Sequence, residues 1–186
     1  MSLPFRDPLA ALPAALPPLT EDRNADGKSL VNPPRKEGEP LSEWYERYPE
    51  ELDESNNAYD FHIYYNAGVP VELEHARKLH QRVRYEFPEL RVYKFWEQPV
   101  GPHPIAMFEV NTFTPAQFGA LFGFLTAYRG NLSVLIHPNT DDEFLDHTAK
   151  ATWMGERIPL ITSILRPDQP RFSGGGAALK AQANAA

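Results

Sequence analysis

The pattern of hydrophobic and polar positions becomes regular at Tyr59 and stays regular to about Leu165. Aromatic and β-branched residues fill 59–66, between Asn56-Asn57 and Ala67-Gly68, which predicts a strand. Pro70 suits a first helical turn. Leu73, Ala76, Leu79 or His80, Val83 and Phe87 follow at helical spacing until Pro88 stops the run. A second strand is expected over 90–96, then the turn Gln98-Pro99-Val100-Gly101-Pro102, then a third strand over 105–112. Thr114-Pro115-Ala116-Gln117 is a capping box: the hydroxyl can accept from the N–H three residues on, and Gln117 can reach back. Phe118, Leu121, Phe122 and Leu125 continue as an apolar stripe, and Gly130 fits the helix end. A fourth strand over 131–136 is followed by a third helix from Asp141 or Asp142 to about Met154. A short strand or extended segment over 160–165 closes the pattern.

Strand, helix, strand, strand, helix, strand is the split βαβ order of an α+β ferredoxin-like sandwich. That is a four-stranded antiparallel sheet with helices on one face, here with an extra C-terminal helix. The crossovers lead us to expect the first strand beside the third and parallel to it, with the fourth antiparallel to the first. His62, near the start of the first strand, and His103, just before the third, would then share one end of the sheet. His137, at the end of the fourth, would return to it.

Outside this block the chain reads differently. Residues 1–54 form a Pro-rich, largely extended arm, since Pro4, Pro8, Pro13, Pro17, Pro18, Pro33, Pro34 and Pro40 each remove a backbone donor and disfavour helix before them. Within it, 41–52 could dock through Trp44, Tyr45 and Tyr48 as one helical turn or a strap. Residues 55–166 form the folded domain, and 167–186, with Gly174-Gly175-Gly176 and an Ala-rich end, is expected to be a disordered tail.

Composition narrows the chemistry. The 25 acidic against 18 basic residues argue against a nucleic-acid partner, which needs clustered positive charge. With no cysteine, disulfides, thiolate metal sites and cysteine nucleophiles are excluded. No apolar run spans a membrane, and no basic start precedes an apolar core at the N-terminus, so a soluble cytoplasmic protein is expected. No phosphate-binding loop or Gly-x-Ser-x-Gly elbow is present, and Ser133 has no evident base. The histidines remain. Neutral imidazole is the commonest protein ligand for iron, zinc and copper, and three histidines, or two with a carboxylate, leave positions open for substrate. His62, His103 and His137 are candidate ligands, with Asp60, Asp141, Asp142 and Asp146 as nearby carboxylates and Glu109 further along its strand. Singly, each has a plainer reading: a hydrogen-bonded strand residue, a stiff turn between prolines, a strand end. His147 beside Asp146 could be a solvated helix residue. His75 and His80, on the first helix, are assigned no chemistry.

Several blocks together resemble the DOPA 4,5-dioxygenase family of fungi and bacteria. They are Tyr59-Asp60-Phe61-His62-Ile63-Tyr64-Tyr65, the run from Lys94 through Gly101-Pro102-His103-Pro104, the run from Arg129 through Ser133-Val134-Leu135-Ile136-His137-Pro138, and Asp146-His147-Thr148 with Trp153-Met154-Gly155. The likeness covers about 58–166. It implies a small ferredoxin-like domain, often a homodimer, with a non-haem Fe(II) centre and extradiol opening of a catechol such as L-DOPA by O2. On that footing His62, His103 and His137 are assigned to the metal and His147 to acid/base work or a fourth ligand. Asp146 is the first carboxylate to consider. Tyr64 and Trp153 would flank the catechol, and Arg129 would pair with an amino-acid carboxylate. The rival readings are a metal-free ligand-binding domain and a cofactor-free α+β-barrel monooxygenase.

Overall fold

Strand alternation sorts the residues that matter. In β1 (Tyr59–Tyr64) Phe61 and Ile63 enter the main apolar core, so Asp60, His62 and Tyr64 must face the other way. In β3 (Met107–Thr112) Phe108 and Val110 are core and Glu109 and Asn111 are opposite; in β4 (Val134–Pro138) Val134 and Ile136 are core and His137 is opposite. The core face is covered by α1 (Pro70–Glu86), through Ala76, Leu79 and Val83, and by α2 (Pro115–Tyr128), through Leu121 and Leu125. The computed structural model describes residues 8, 9, 12, 16, 18–35, 37–48, 52 and 57–166. The tail expected over 167–186 lies outside the described residues, as does part of the N-terminal arm.

With β2 (Arg91–Val92) and β5 (Thr152–Met154), the strands form one sheet in the order β2-β3-β1-β4-β5, every neighbouring pair antiparallel. The first four strands in that order are the split βαβ arrangement, and the fold is α+β. The expected parallel pairing of the first and third strands is corrected. The crossover through α1 makes β1 and β2 parallel with β3 between them, so β3, antiparallel to β2, must also run against β1. His103 therefore leaves the sheet beyond Tyr64, whose partner is Met107, while His137 lies at the opposite end, where Pro138 pairs with Tyr59.

Three further expectations change. The second strand keeps only two ladder residues, after which Tyr93 N donates to Glu109 O and Trp96 bridges to Met107. The third helix is a single turn, α3 (Glu143–Asp146), capped by Asp142 accepting from Leu145 N at 2.9 Å; the rest of its expected span ends as the edge strand β5. The β-branched Thr152 and aromatic Trp153 gain ladder partners on β4, which outweighs continuation of a helix. The final segment is a 3-10 turn at Thr162–Leu165 instead of a strand.

The helix ends obey the expected chemistry. Thr114 Oγ1 accepts from Gln117 N at 3.2 Å, and Gln117 Oε1 accepts from Phe113 N at 2.8 Å, one residue before the position a strict capping box would use. Gly130 closes α2 at φ 61°, a conformation that favours glycine, and a Cβ there would lie 3.1 Å from His75 Nε2 and press on that ring. His75 and His80 brace the helix layer: each Nε2–H donates to a backbone carbonyl, of Tyr128 and Tyr93 respectively.

Backbone packing separates Met1–Leu41 from Ser42–Ala186. In the first unit Arg23 bridges to Leu30 around Gly27 at φ 68°, and Asp26 Oδ1 accepts from Lys28 N and Ser29 N, so the described part of the arm holds a closed turn. In the second, Ser42 caps the 3-10 turn Glu43–Tyr45; Tyr48 packs on Tyr59 at 5.4 Å between ring centroids, while Trp44 and Tyr45 stay exposed. No described helix is long and apolar enough to cross a membrane.

Candidate metal centre

Four imidazoles gather on the sheet face that the helices leave uncovered. His62 and His137 come from adjacent strands and lie nearly parallel, with Nε2 atoms 3.0 Å apart. His103 is carried back over the sheet by a tight turn: Val100 and His103 exchange backbone hydrogen bonds of 3.1 and 3.0 Å around Gly101, and Ile161 N holds Pro102 O at 2.9 Å. Its ring sits 4.2 Å from that of His62. His147, at the end of α3, completes the group, 4.0 Å from His137 between ring centroids. All four are buried. The sequence placed them together, but by face and fold-back of a loop, not by a shared end of the sheet.

Hydrogen bonds fix which nitrogens can accept. A carbonyl cannot donate, so His137 Nδ1–H donates to Pro138 O and His147 Nδ1–H to Glu143 O, both at 2.8 Å. Each neutral ring then presents its Nε2 lone pair to the cluster. His103 Nδ1 is held by the Tyr64 hydroxyl at 2.6 Å. With His137 Nε2 an acceptor, His62 Nε2 must donate to it when no cation is near, and this leaves His62 Nδ1 as a buried lone pair without a hydrogen-bond partner. A bound cation would reverse the arrangement: His62 would hold its proton on Nδ1, which lies 3.9 Å from Glu109 Oε2, and free its Nε2 lone pair beside that of His137.

Carboxylates complete the picture. Asp60 Oδ1 accepts from the amides of Asn57 and Asn111, and Oδ2 lies 4.0 Å from His137 Nε2. Asn111 Nδ2 also donates to Glu109 Oε1 at 2.7 Å. Asp146, the carboxylate first considered from sequence, is occupied elsewhere. It accepts from Thr140 N and Thr140 Oγ1, both at 2.7 Å, and from Lys150 Nζ at 3.1 Å. Neighbours in a helix point apart, so adjacency to His147 did not bring it in. Asp60 was better marked: it stands two residues before His62 in a strand and so shares its face.

Among the described residues, two sets of three ligand atoms lie within 4.8 Å of one another and share His62: His62, His103 and His147, and Asp60, His62 and His137. The Nε2 atoms of His62 and His137, 3.0 Å apart, are close enough for one ion to meet both. The unpartnered Nδ1, the convergent lone pairs and the donor types all fit a divalent transition metal. The second set is two histidines and a carboxylate, the arrangement typical of non-haem Fe(II) sites with open positions.

Burial governs the protonation states. It holds His62 and His103 well below the ordinary histidine value, lowers His137, and takes His147 down to about 4, with the neighbouring imidazoles adding to the effect at His62, His103 and His147. Burial raises Asp60 to about 6 against the hydrogen bonds of its asparagines, and raises Glu109 to about 8, with Asp60 adding. Neutral histidines are what a metal requires.

The remaining candidates divide. Tyr64 and Trp153 stack at 5.7 Å with 23° between their planes, beside the apolar cluster that includes Trp96, Ile158 and Leu160. Arg129 is spent elsewhere: its Nη1 donates to the carbonyls of Leu132 at 2.7 Å and Gly130 at 3.2 Å. Sequence reasoning set Glu109 further along its strand and missed Asn57 and Asn111; the period-2 alternation of β3 puts Glu109 and Asn111 on the histidine face.

Comparison with known proteins gives a consistent picture. The model of the Dopa 4,5-dioxygenase family matches residues 59–164. An uncharacterized 21.2 kDa protein of Botryotinia fuckeliana is 49% identical over 159 residues, covering 81% of this chain and 85% of that protein. DOPA 4,5-dioxygenase of Amanita muscaria is 32% identical over 115 residues, 59% of this chain, and the match spans half of the Amanita protein. A crystal structure of a candidate dioxygenase from Nostoc punctiforme superimposes with a TM-score of 0.50 at 30% identity, covering 59% of this chain and 91% of that one.

Proposed function

The chain belongs to the Dopa 4,5-dioxygenase family, and we propose that it is an extradiol ring-cleaving dioxygenase acting on a catechol with O2 at a non-haem Fe(II) centre. The observation that carries the reading is the face-sharing set Asp60, His62 and His137, two imidazoles and a carboxylate with the ion-facing atoms already convergent. These three would hold the ion. His103, assigned to the metal from sequence, moves to the acid/base side together with His147. Fe(II) held there would supply the electron exchange between catechol and dioxygen that ring opening needs.

The chain's own residues do the rest. His147, held neutral by burial and oriented through Glu143 O, accepts a proton from a catechol hydroxyl at Nε2. His103, paired with Tyr64, takes or returns the second proton. Tyr64 and Trp153 offer a flat aromatic wall, and the apolar side chains around them exclude water from the ring being opened.

The test is anaerobic reconstitution with Fe(II), then L-DOPA and air, following O2 uptake and a yellow product. One O2 consumed per ring is expected, with the rate reduced roughly a hundredfold or more in His62→Ala and Asp60→Ala proteins that remain folded. Stoichiometric iron without product would keep the centre and discard this substrate. Failure to bind iron would end the dioxygenase reading.

A further inference from the structure

The Tyr64 hydroxyl meets His103 Nδ1 at 2.6 Å, and the direction of that bond decides what His103 can offer the site. Both residues are buried, with 1% and 5% of their surface exposed. A phenol O–H is a stronger acid than the N–H of a neutral imidazole, and an imidazole lone pair accepts better than a phenol oxygen. Were Nδ1–H the donor, the hydroxyl hydrogen would be buried without an acceptor among the described residues, at the cost of an unmade bond. The hydroxyl therefore donates. Burial, with Glu109 adding, holds it above the ordinary tyrosine range, so it keeps the hydrogen it shares. A neutral imidazole carries one N–H, and with Nδ1 accepting, that of His103 is on Nε2.

His137 and His147 are the reverse. Their Nδ1–H groups donate to backbone carbonyls, which can only accept, and their Nε2 atoms keep lone pairs. The sequence supplies both halves of the Tyr64 contact. Tyr64 stands two residues after His62 on β1 and shares its face, and stacking on Trp153 at 5.7 Å fixes the phenol ring. His103, between Pro102 and Pro104, is held by its backbone exchange with Val100.

We infer that Tyr64 is a positioning residue whose hydroxyl fixes the His103 tautomer, making His103 a hydrogen-bond donor where His147 is an acceptor. The inference rests on the dioxygenase reading for its use: His147 Nε2 takes the proton of a catechol hydroxyl, and His103 Nε2–H holds an oxygen that has become anionic. A donor on a charged oxygen in a water-poor site stabilises it strongly, and the ring can serve while neutral. His103 thus belongs to the donating side of the acid/base work, and Tyr64 has a task beyond its place in the aromatic wall.

The first arm of the test needs neither metal nor substrate. Long-range proton–nitrogen correlation on metal-free protein with isotope-labelled histidine, at a pH where the rings are neutral, reports which nitrogen of each ring is protonated. The His103 signals are those missing from His103→Gln. Native His103 is expected with Nε2 protonated and Nδ1 bare, and His137 and His147 with the opposite pattern. Tyr64→Phe, which keeps the ring and loses the hydroxyl, should turn His103 into a mixture of tautomers. A proton on Nδ1 in the native protein overturns the inference whether or not the variant folds, and so does a tautomer unmoved in folded Tyr64→Phe. The second arm is kinetic: with Fe(II) and L-DOPA, Tyr64→Phe should lose roughly tenfold or more in kcat while KM stays within about threefold. A loss in KM alone would leave Tyr64 only a wall and overturn the donor role. If the native protein opens no catechol, the dioxygenase reading falls, and the first arm still decides whether Tyr64 sets the tautomer.

Discussion

The two faces of the central sheet are written by the same strands and do opposite things. On the helix side Phe61, Ile63, Phe108, Val110, Val134 and Ile136 are sealed by α1 and α2. One residue away along each strand, Asp60, His62, Glu109, Asn111 and His137 stand on the other side. Burial of the first set stabilises the fold by removing apolar surface from water. Burial of the second set costs stability, because it keeps ionisable groups neutral against their preference in water. The lesson is that the helix face sustains the histidine face.

The largest expected effect comes from testing adjacent residues. Phe108→Ala opens a cavity in a fully buried position and should cost about 3–5 kcal/mol in denaturant unfolding. Glu109→Gln, its neighbour on the other face, should change stability by no more than about 1 kcal/mol, since a neutral amide replaces a carboxyl that burial already keeps protonated. It should instead weaken Fe(II) binding roughly 10–100-fold, because Glu109 faces His62 Nδ1. Equal destabilisation by the two substitutions would refute the division between faces.

Next in size is the pH dependence of the metal-free protein. His147 titrates near 4 when folded but near 6.5 when unfolded, so the unfolded chain takes up the proton first as pH falls. Its share of stability is complete above 6.5 and declines between 6.5 and 4, by about 3 kcal/mol in all. His62, His103 and His137 act in the same direction. Glu109 opposes them: protonated up to about 8 when folded and ionised above 4.5 when unfolded, it lowers stability as pH rises through that window, and Asp60 does so between 3.8 and about 6. Four histidines outweigh two carboxylates on the acid side, and Glu109 alone acts above 6.5. Urea midpoints in chelator should therefore peak near neutral pH. A steady rise in stability toward pH 4 would contradict buried neutral imidazoles.

How much of this was legible in the sequence follows from the same alternation. Periodicity located α1 and α2 by their apolar spacing, and β1, β3 and β4 by aromatic and β-branched runs between turn residues. β5 was hidden, since Thr152-Trp153-Met154 is too short to show a period and gains its identity only from pairing with β4. The histidine cluster was anticipated although the direction of the central pair was not: His103 reaches His62 through the turn at Gly101, a local feature that compensates for the reversed strand. Asp146 drew attention by standing next to His147, whereas Asp60 belongs to the centre through register, which a single sequence expresses only as spacing.

The smallest effect sharpens the comparison most selectively. Thr114 Oγ1 satisfies an otherwise orphaned N–H at the start of α2, and its removal in Thr114→Ala should cost about 1 kcal/mol. The hydroxyl lies on the helix side of the molecule, so Fe(II) affinity should stay within twofold of the native value while the unfolding midpoint drops. If metal binding fell in proportion to stability, the histidine face would be loosened by any weakening of the helix layer. If only the midpoint moves, the imidazoles are held by their own contacts, through Pro138, Glu143 and Tyr64, and the two faces are separable in energy as they are in sequence.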